Sequence, residues 1–237
     1  MGSNPTPSAS ASFSLPFSFC LILSAKSRFR TPADDAAVFL HDTDFSLTME
    51  FNEEDRVPVE ELAPRDGTRL HRRFLDYWLT LRDGHAMPSY ADIDPVDFPW
   101  ALPNIFVVEV LAGGDFVYRI AGEEHTQRYR RNLKGMRLSD IMQSGAAEAI
   151  SKRWRLMLEI PAAFFILTDH QSEQGASVLG ERLVLPLGND RRTPTHLIGI
   201  TNFLSTSSFA GSLTGDQKVK YFRWSRVEPD RQAAHRA

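Results

Sequence analysis

Apolar residues recur along this chain in two rhythms, and the order in which the rhythms change predicts the architecture. Leu70, Phe74, Tyr77, Trp78 and Leu81 fall three or four apart, which places them on one face of a helix. Asp66 or Thr68 can cap that helix and Gly84 can end it, while Arg69, Arg72, Arg73 and Arg82 fall largely on the opposite face. Residues 84–104 have no period. Pro88, Pro95, Pro99 and Pro103 alternate there with Met87, Ile93, Phe98 and Trp100, the pattern of a loop wrapped around a core. Residues 105–111 are a continuous apolar run of strand length. Gly113-Gly114 makes a turn, and residues 116–120 alternate, with Phe116, Tyr118 and Ile120 on one side and Val117 and Arg119 on the other. A short helix over 123–131 and a helical turn over 138–142 follow. The second long helix is 146–160, with Ile150, Trp154, Met157 and Leu158 inward, Lys152, Arg153 and Arg155 outward, and Pro161 as its stop. Strands are expected at 162–168, 177–187 and 196–204, joined by turns at Gln174-Gly175 and Gly188-Asn189-Asp190.

Helix, two strands, short helices, one longer helix and three strands make an α+β domain with a five-stranded antiparallel sheet. A doubly wound sheet would need helices between successive strands. Three regions follow from the pattern: 1–65 as a leader and acidic approach segment, 66–205 as the domain, and 206–237 as a polar linker and tail. Residues 1–48 are biased to Ser, Pro and Ala without periodicity and read as disordered, so that Met49 is the expected biological start. The apolar run 13–23 is too short for the ~20 residues of a spanning helix. Its basic residues, Lys26, Arg28 and Arg30, come after it rather than before, unlike a signal peptide. The tail mixes Lys218, Lys220 and Arg223 with Tyr221, Phe222 and Trp224; it could dock on a partner, but is expected rather to dock on the domain or add a strand to it.

Composition narrows the field. A formal net charge of -3 gives no bulk attraction for nucleic acid or anionic lipid, and neither is expected as a partner. The single cysteine, Cys20, permits no intrachain disulfide and no zinc cluster; a reducing cytoplasm fits.

Several local phrases resemble one family. They are Leu75-Asp76-Tyr77-Trp78 with Leu81-Arg82; Met87-Pro88-Ser89 and Asp92-Ile93-Asp94-Pro95; Leu102-Pro103-Asn104-Ile105; Tyr118-Arg119-Ile120-Ala121-Gly122; Leu133-Lys134-Gly135; and Leu185-Pro186-Leu187. Their order and spacing resemble divergent bacterial PAS-like proteins, often short and without an attached output domain. Tyr90, Glu123 and Glu124 depart from that pattern. The resemblance covers about residues 68–205 and implies a PAS-like fold in a stand-alone sensory or regulatory module, with no known ligand.

Each candidate chemistry has a plainer competitor. A flavin-adduct photoreceptor needs a cysteine inside the domain, and Cys20 lies far outside it. A haem PAS needs an inward axial ligand; His125, His170 and His196 are the candidates, and each reads better as a surface or turn histidine. Gly113-Gly114-Asp115-Phe116 echoes a diguanylate cyclase turn but sits between short strands, where glycines serve a hairpin. Arg128, Arg130, Arg131, Lys134 and Arg137 form a basic cluster, read as a solvated face balanced by Glu123 and Glu124. No G-x-S-x-G elbow is present, and Asp92, Asp94 and Asp97 suit turns better than a calcium loop. What remains is a pocket between sheet and helices. Phe106, Tyr118, Met142, Trp154, Phe165 and Phe203 either line it or fill a dry core, and Arg119 and His125 are its polar candidates. The cofactor is left unknown and no metal is expected. The chain is expected to bind a small ligand or a protein partner rather than to catalyse a reaction, and to dimerise through Phe74 and Trp78. The alternative is an enzyme of unrecognised type using the sheet–helix cleft.

Overall fold

Six antiparallel strands form one sheet in the order β2-β1-β5-β4-β3-β6. The computed structural model describes residues 51–64, 69–142, 144–172, 177–204 and 213–230. The expected leader 1–48, Met49, Cys20 and the helix caps Asp66 and Thr68 therefore lie outside the described residues. The strands are β1 (Ile105–Val110), β2 (Phe116–Ala121), β3 (Ala162–Ser172), β4 (Ser177–Gly188), β5 (Pro194–Leu204) and β6 (Leu213–Arg226). The first five occupy the segments where alternation and apolar runs place them. The sixth corrects the five-strand expectation: the basic-aromatic tail pairs along β3, from Ala162 opposite Arg226 to Ser172 opposite Leu213.

Among the described residues, four α-helices accompany the sheet: α1 (Arg69–Arg82), α2 (Glu123–Tyr129), α3 (Leu138–Ile141) and α4 (Ser144–Glu159). The β1–β2 turn runs through Gly113 and Gly114 at φ +98° and +80°, left-handed backbone that glycine adopts without a Cβ clash. At the loop 84–104, the Asp94 carboxylate accepts from Val96 N at 2.9 Å. Asp92 accepts from Ser89 N at 3.0 Å and pairs with Arg191 at 2.7 Å. These aspartates do the work of turns.

Because side chains alternate along each strand, the sheet has two apolar faces, and both are buried. The inner face carries Phe106, Val108, Phe116, Tyr118, Phe164, Val184 and Leu197 against α2, α3 and α4, with Trp154 and Met157 at the centre. The outer face carries Ile105, Val107, Leu183, Leu185, Ile198 and Ile200 against α1 and the loop. This explains the unbroken apolar run Leu183-Val184-Leu185: it is buried from both sides.

The α1 helix is held by specific bonds as well as by packing. Trp78 Nε1 donates to the Pro186 carbonyl at 3.0 Å. Arg82, assigned by spacing to a solvated face, is only 6% exposed. Its guanidinium pairs with Asp230 at 2.6 Å and donates to the Glu228 carbonyl at 3.3 Å. The end of the helix is thereby tied to the segment that follows β6. Upstream, Val59, Leu62 and Ala63 are buried in the same outer core. Asn52 O accepts from Trp224 Nε1, and Val57 N donates to the Trp224 carbonyl at 2.9 Å, so residues 51–64 lie along the sixth strand.

Candidate functional site

On the inner face, polar groups converge on one aromatic ring. Phe106 of β1 stands opposite Gly199 of β5 in the register, and its ring fills the space a side chain at 199 would occupy. Trp154 of α4 stacks on it at 5.9 Å between centroids and 20° between planes. His125 of α2 meets it edge-on at 5.5 Å. The Arg182 guanidinium of β4 lies 5.6 Å from the ring centroid, a cation–π contact strengthened by its removal from water.

A hydrogen-bonded chain links these groups. Arg182 Nε donates to Thr201 Oγ1 at 2.9 Å. Asn104 Nδ2 donates to the Thr201 carbonyl at 3.0 Å. His125 Nε2 sits 3.0 Å from the Asn104 carbonyl, which can only accept, so the imidazole carries its proton there. His125 is 2% exposed. Burial, and then the Arg182 charge, pull its pKa down to about 3, against the opposing pull of the Asn104 carbonyl. The ring is therefore neutral at physiological pH. The Tyr129 hydroxyl faces the Arg182 guanidinium without closing a hydrogen bond of normal geometry; burial raises its pKa and the Arg182 charge opposes the rise. Tyr118 is pushed up by burial as well.

A second buried arginine approaches from the helix side. Arg153 of α4 is 7% exposed, its guanidinium lies 6.0 Å from the Phe164 ring, and its Nε has no hydrogen-bond partner. Burial, and then the charge of Arg182, lower its pKa to about 10. The outward assignment of Arg153 is thus corrected. Residues 150, 153, 154 and 157 are themselves spaced as one helical stripe, so an arginine at 153 faces the core with Ile150, Trp154 and Met157.

The expected pocket residues separate into three places. Phe106, Tyr118, His125, Met142, Trp154 and Phe203 share the inner core. Phe165 does not: its neighbour Phe164 points inward, so Phe165 points out, edge-on to His71 of α1 at 5.4 Å. Arg119 lies on the open face of the edge strand β2, ion-paired with Glu109. Phe74 and Trp78, the expected dimer contacts, are 0% and 1% exposed within this chain, covered by its own sheet and loop. Of the other histidines, His196 stacks flat on Tyr90 at 4.0 Å on the outer side. His170 pairs in register with Val178.

Arg182, Tyr129 and Thr201 were not singled out by sequence; Arg153 was placed outward, and Asn104 entered only as part of a family phrase. The available signal was the parity of β4: Val178, Arg182 and Val184 share a face, so inward Val184 makes Arg182 inward too. Among the described residues, no group of three or more His, Cys, Asp or Glu side chains could hold a metal ion. None of the described helices is long and apolar enough to cross a membrane. A separate cleft of about 210 Å³, lined by Glu61, Pro64, Arg72 and Arg223, lies away from the Phe106 cluster.

The neutral His125 has a measurable consequence. Its folded pKa is depressed, so the unfolded chain binds more protons below about pH 6.5, and stability falls as pH drops from there toward 3. His71 and His196 are also lowered by burial and add to the same fall. Replacing His125→Gln, which keeps a donor for Asn104, is expected to remove up to about 1.4 kcal/mol per pH unit of that slope. Urea melts at pH 7, 6 and 5 measure it; an unchanged slope would mean that His125 is accessible to protons in the folded state.

The chain is thus an α+β domain whose antiparallel sheet carries helices on its inner face, with a buried polar network between them. The family model described as a PAS domain matches residues 68–202, more than half of the chain, and the chain belongs to that family. No curated protein matches it. Among solved structures, it is similar to the Rhodobacter sphaeroides LOV protein, at 12% identity, over 49% of this chain and 71% of that one, with a TM-score of 0.36. A LOV domain solved with a flavin analogue matches at 11% identity, over 47% of this chain and 84% of that one, at TM-score 0.35. The Vibrio cholerae VqmA–ligand–DNA complex matches at 12% identity and TM-score 0.34, over 48% of this chain and 52% of that one.

Proposed function

We propose that this chain is a sensory or regulatory module that binds a small molecule between the inner sheet face and helices α2 and α4. One observation carries the reading: the Arg182–Thr201–Asn104–His125 network lies inside a largely apolar, aromatic core. Stability alone does not call for it, because well-packed apolar side chains of similar volume commonly do as well or better in such places. The network instead supplies a few fixed polar groups in an aromatic setting, the composition of small-molecule sites. No nucleophile–base pair lies within it, which favours binding over catalysis.

The same strand offers a route for a signal. Arg182 faces the inner core, while adjacent Glu181 faces out and lies 3.6 Å from His71 of α1. A ligand that favours one placement of Arg182 would bias the Glu181–His71 contact, provided that it binds the two arrangements unequally. Native mass spectrometry of the protein purified from its own host tests the reading. A co-purifying small molecule, released on denaturation, is expected; a bare polypeptide mass that stays unchanged when the protein is returned to host extract would overturn it.

A further inference from the structure

Resting on the ligand-binding reading above, the geometry points to a specific ligand class: we infer that the site takes a small organic anion. Its carboxylate would be held by Arg182 and Arg153, with its apolar body against Phe106, Trp154 and Phe164.

The argument is one of charge left over. Both arginines are 7% exposed. Among the described residues, neither has a carboxylate within 4.0 Å. The other buried arginine among the described residues, Arg82, sets the contrast, because it is paired with Asp230 at 2.6 Å. A buried charge is ordinarily paired, since taking a lone ion out of water is costly. Here the register brings a second cation rather than an anion to the same face: Arg153 lies over Phe164, which pairs opposite Val184, two residues from inward Arg182. The ring faces under them, Phe106 at 5.6 Å and Phe164 at 6.0 Å, offset only part of that cost.

The remaining polar groups fit the same ligand. Arg153 Nε and the Tyr129 hydroxyl are buried donors without partners, and an unsatisfied buried donor calls for an acceptor. A carboxylate is acceptor-only and matches the planar fork of a guanidinium bidentately. His125 presents no charge and donates to Asn104, so it neither competes for the anion nor repels it. Around the cations the walls are aromatic: Trp154 meets Phe116 at 5.0 Å and Phe106 at 5.9 Å. An anion with an aromatic body can join these ring contacts, which a bare inorganic ion cannot do.

The test uses the full chain and a matched pair of probes. Thermal melts are recorded with sodium phenylacetate, with its neutral analogue phenylacetamide, and with sodium chloride at equal ionic strength. Phenylacetate is expected to raise the melting temperature in a saturable way, with neither control doing so. In R182M and R153M variants the ligand-free protein is expected to melt at or above the wild-type temperature, and the phenylacetate shift is expected to vanish. Should either variant fail to fold, R182K or R153K replaces it; each keeps the charge but loses the fork, and about a tenfold weaker response is expected. Equal shifts with acid and amide would overturn the anion inference and leave the small-molecule reading standing. No shift with the acid, or a shift that survives in R182M and R153M, also overturns the inference. The broader reading is judged separately, by the co-purification experiment.

Discussion

Replacing Trp78→Asp is expected to unfold the protein rather than change its oligomeric state. Trp78 is 1% exposed and packs in the outer core with Phe74, Leu183, Leu185 and Ile198. Removing a buried tryptophan side chain costs about 3–5 kcal/mol through lost contacts and the cavity left behind. Without the indole, the Pro186 carbonyl loses its donor, at a further cost of about 1–3 kcal/mol. The new carboxylate must either ionise in an apolar core or stay protonated against its preference. Arg82 is close, at 6.0 Å from the indole, but is already engaged by Asp230 and Glu228. These losses together reach the ~5–15 kcal/mol that holds a typical domain folded. Circular dichroism melts are expected to show a loss of the cooperative transition, or a fall of more than about 10 °C. Trp78→Phe, which retains most of the volume, is expected to fold with a smaller fall. A Trp78→Asp protein that melts within a few degrees of wild type while changing its sedimentation would mean that α1 packs on another molecule.

That outcome differs from what the helix alone suggests, and the difference marks what a sequence can convey. The amphipathic stripe Phe74, Trp78 and Leu81 says that one face must be covered; it does not say by what. The apolar run Leu183-Val184-Leu185 contains the answer, because a strand with both parities apolar needs cover on both sides. Reading the two together assigns α1 to the outer face of its own sheet. The tail follows the same logic. Phe222 and Trp224 share one parity with the inner core, and Tyr221 and Arg223 share the other. The alternation of a strand was therefore present in a segment that stood out first for its charge.

The candidate site was legible in its aromatic part and hidden in its cationic part. Phe106, Tyr118, Trp154 and Phe203 are found from hydrophobic pattern because burial is what the pattern reports. Phe165 was misplaced because Phe164 and Phe165 are adjacent and only the register of β3 decides which one faces α4. Arg153 and Arg182 run against the usual exposure of arginine, so composition directs attention away from them. Position directs it back. Arg153 falls on the stripe of Trp154, and Arg182 falls on the parity of Val184. A charged residue locked into an apolar stripe by its neighbours on both sides is the signal that the hydrophobic pattern alone passes over.

Substituting Gly199→Ala is expected to damage the site from behind. Alanine is normally the better strand residue, since glycine loses more entropy on folding. At 199 the backbone needs no left-handed conformation, so what excludes a side chain is contact rather than backbone strain. An added Cβ would lie 2.2 Å from Phe106 Cζ and 2.3 Å from Cε1. The ring cannot swing clear, because Trp154 stacks on it, His125 abuts it and Arg182 sits beside it. Overpacking of this kind costs about 1–3 kcal/mol, and the upper end or more is expected where the obstacle is a fully packed ring. The fault can be traced with a second change. Phe106→Leu removes the ring carbons that collide, so alanine at 199 is expected to cost at least about 1 kcal/mol less in the Phe106→Leu background than in the wild type. Denaturant melts of the four proteins give that coupling directly. The probe response should follow it: Gly199→Ala is expected to weaken any ligand-induced shift, because it displaces the ring on which Arg182 and Trp154 are both arranged. If the two substitutions add within about 0.5 kcal/mol, Phe106 does not lie over Gly199, and the inner face is built around a different residue.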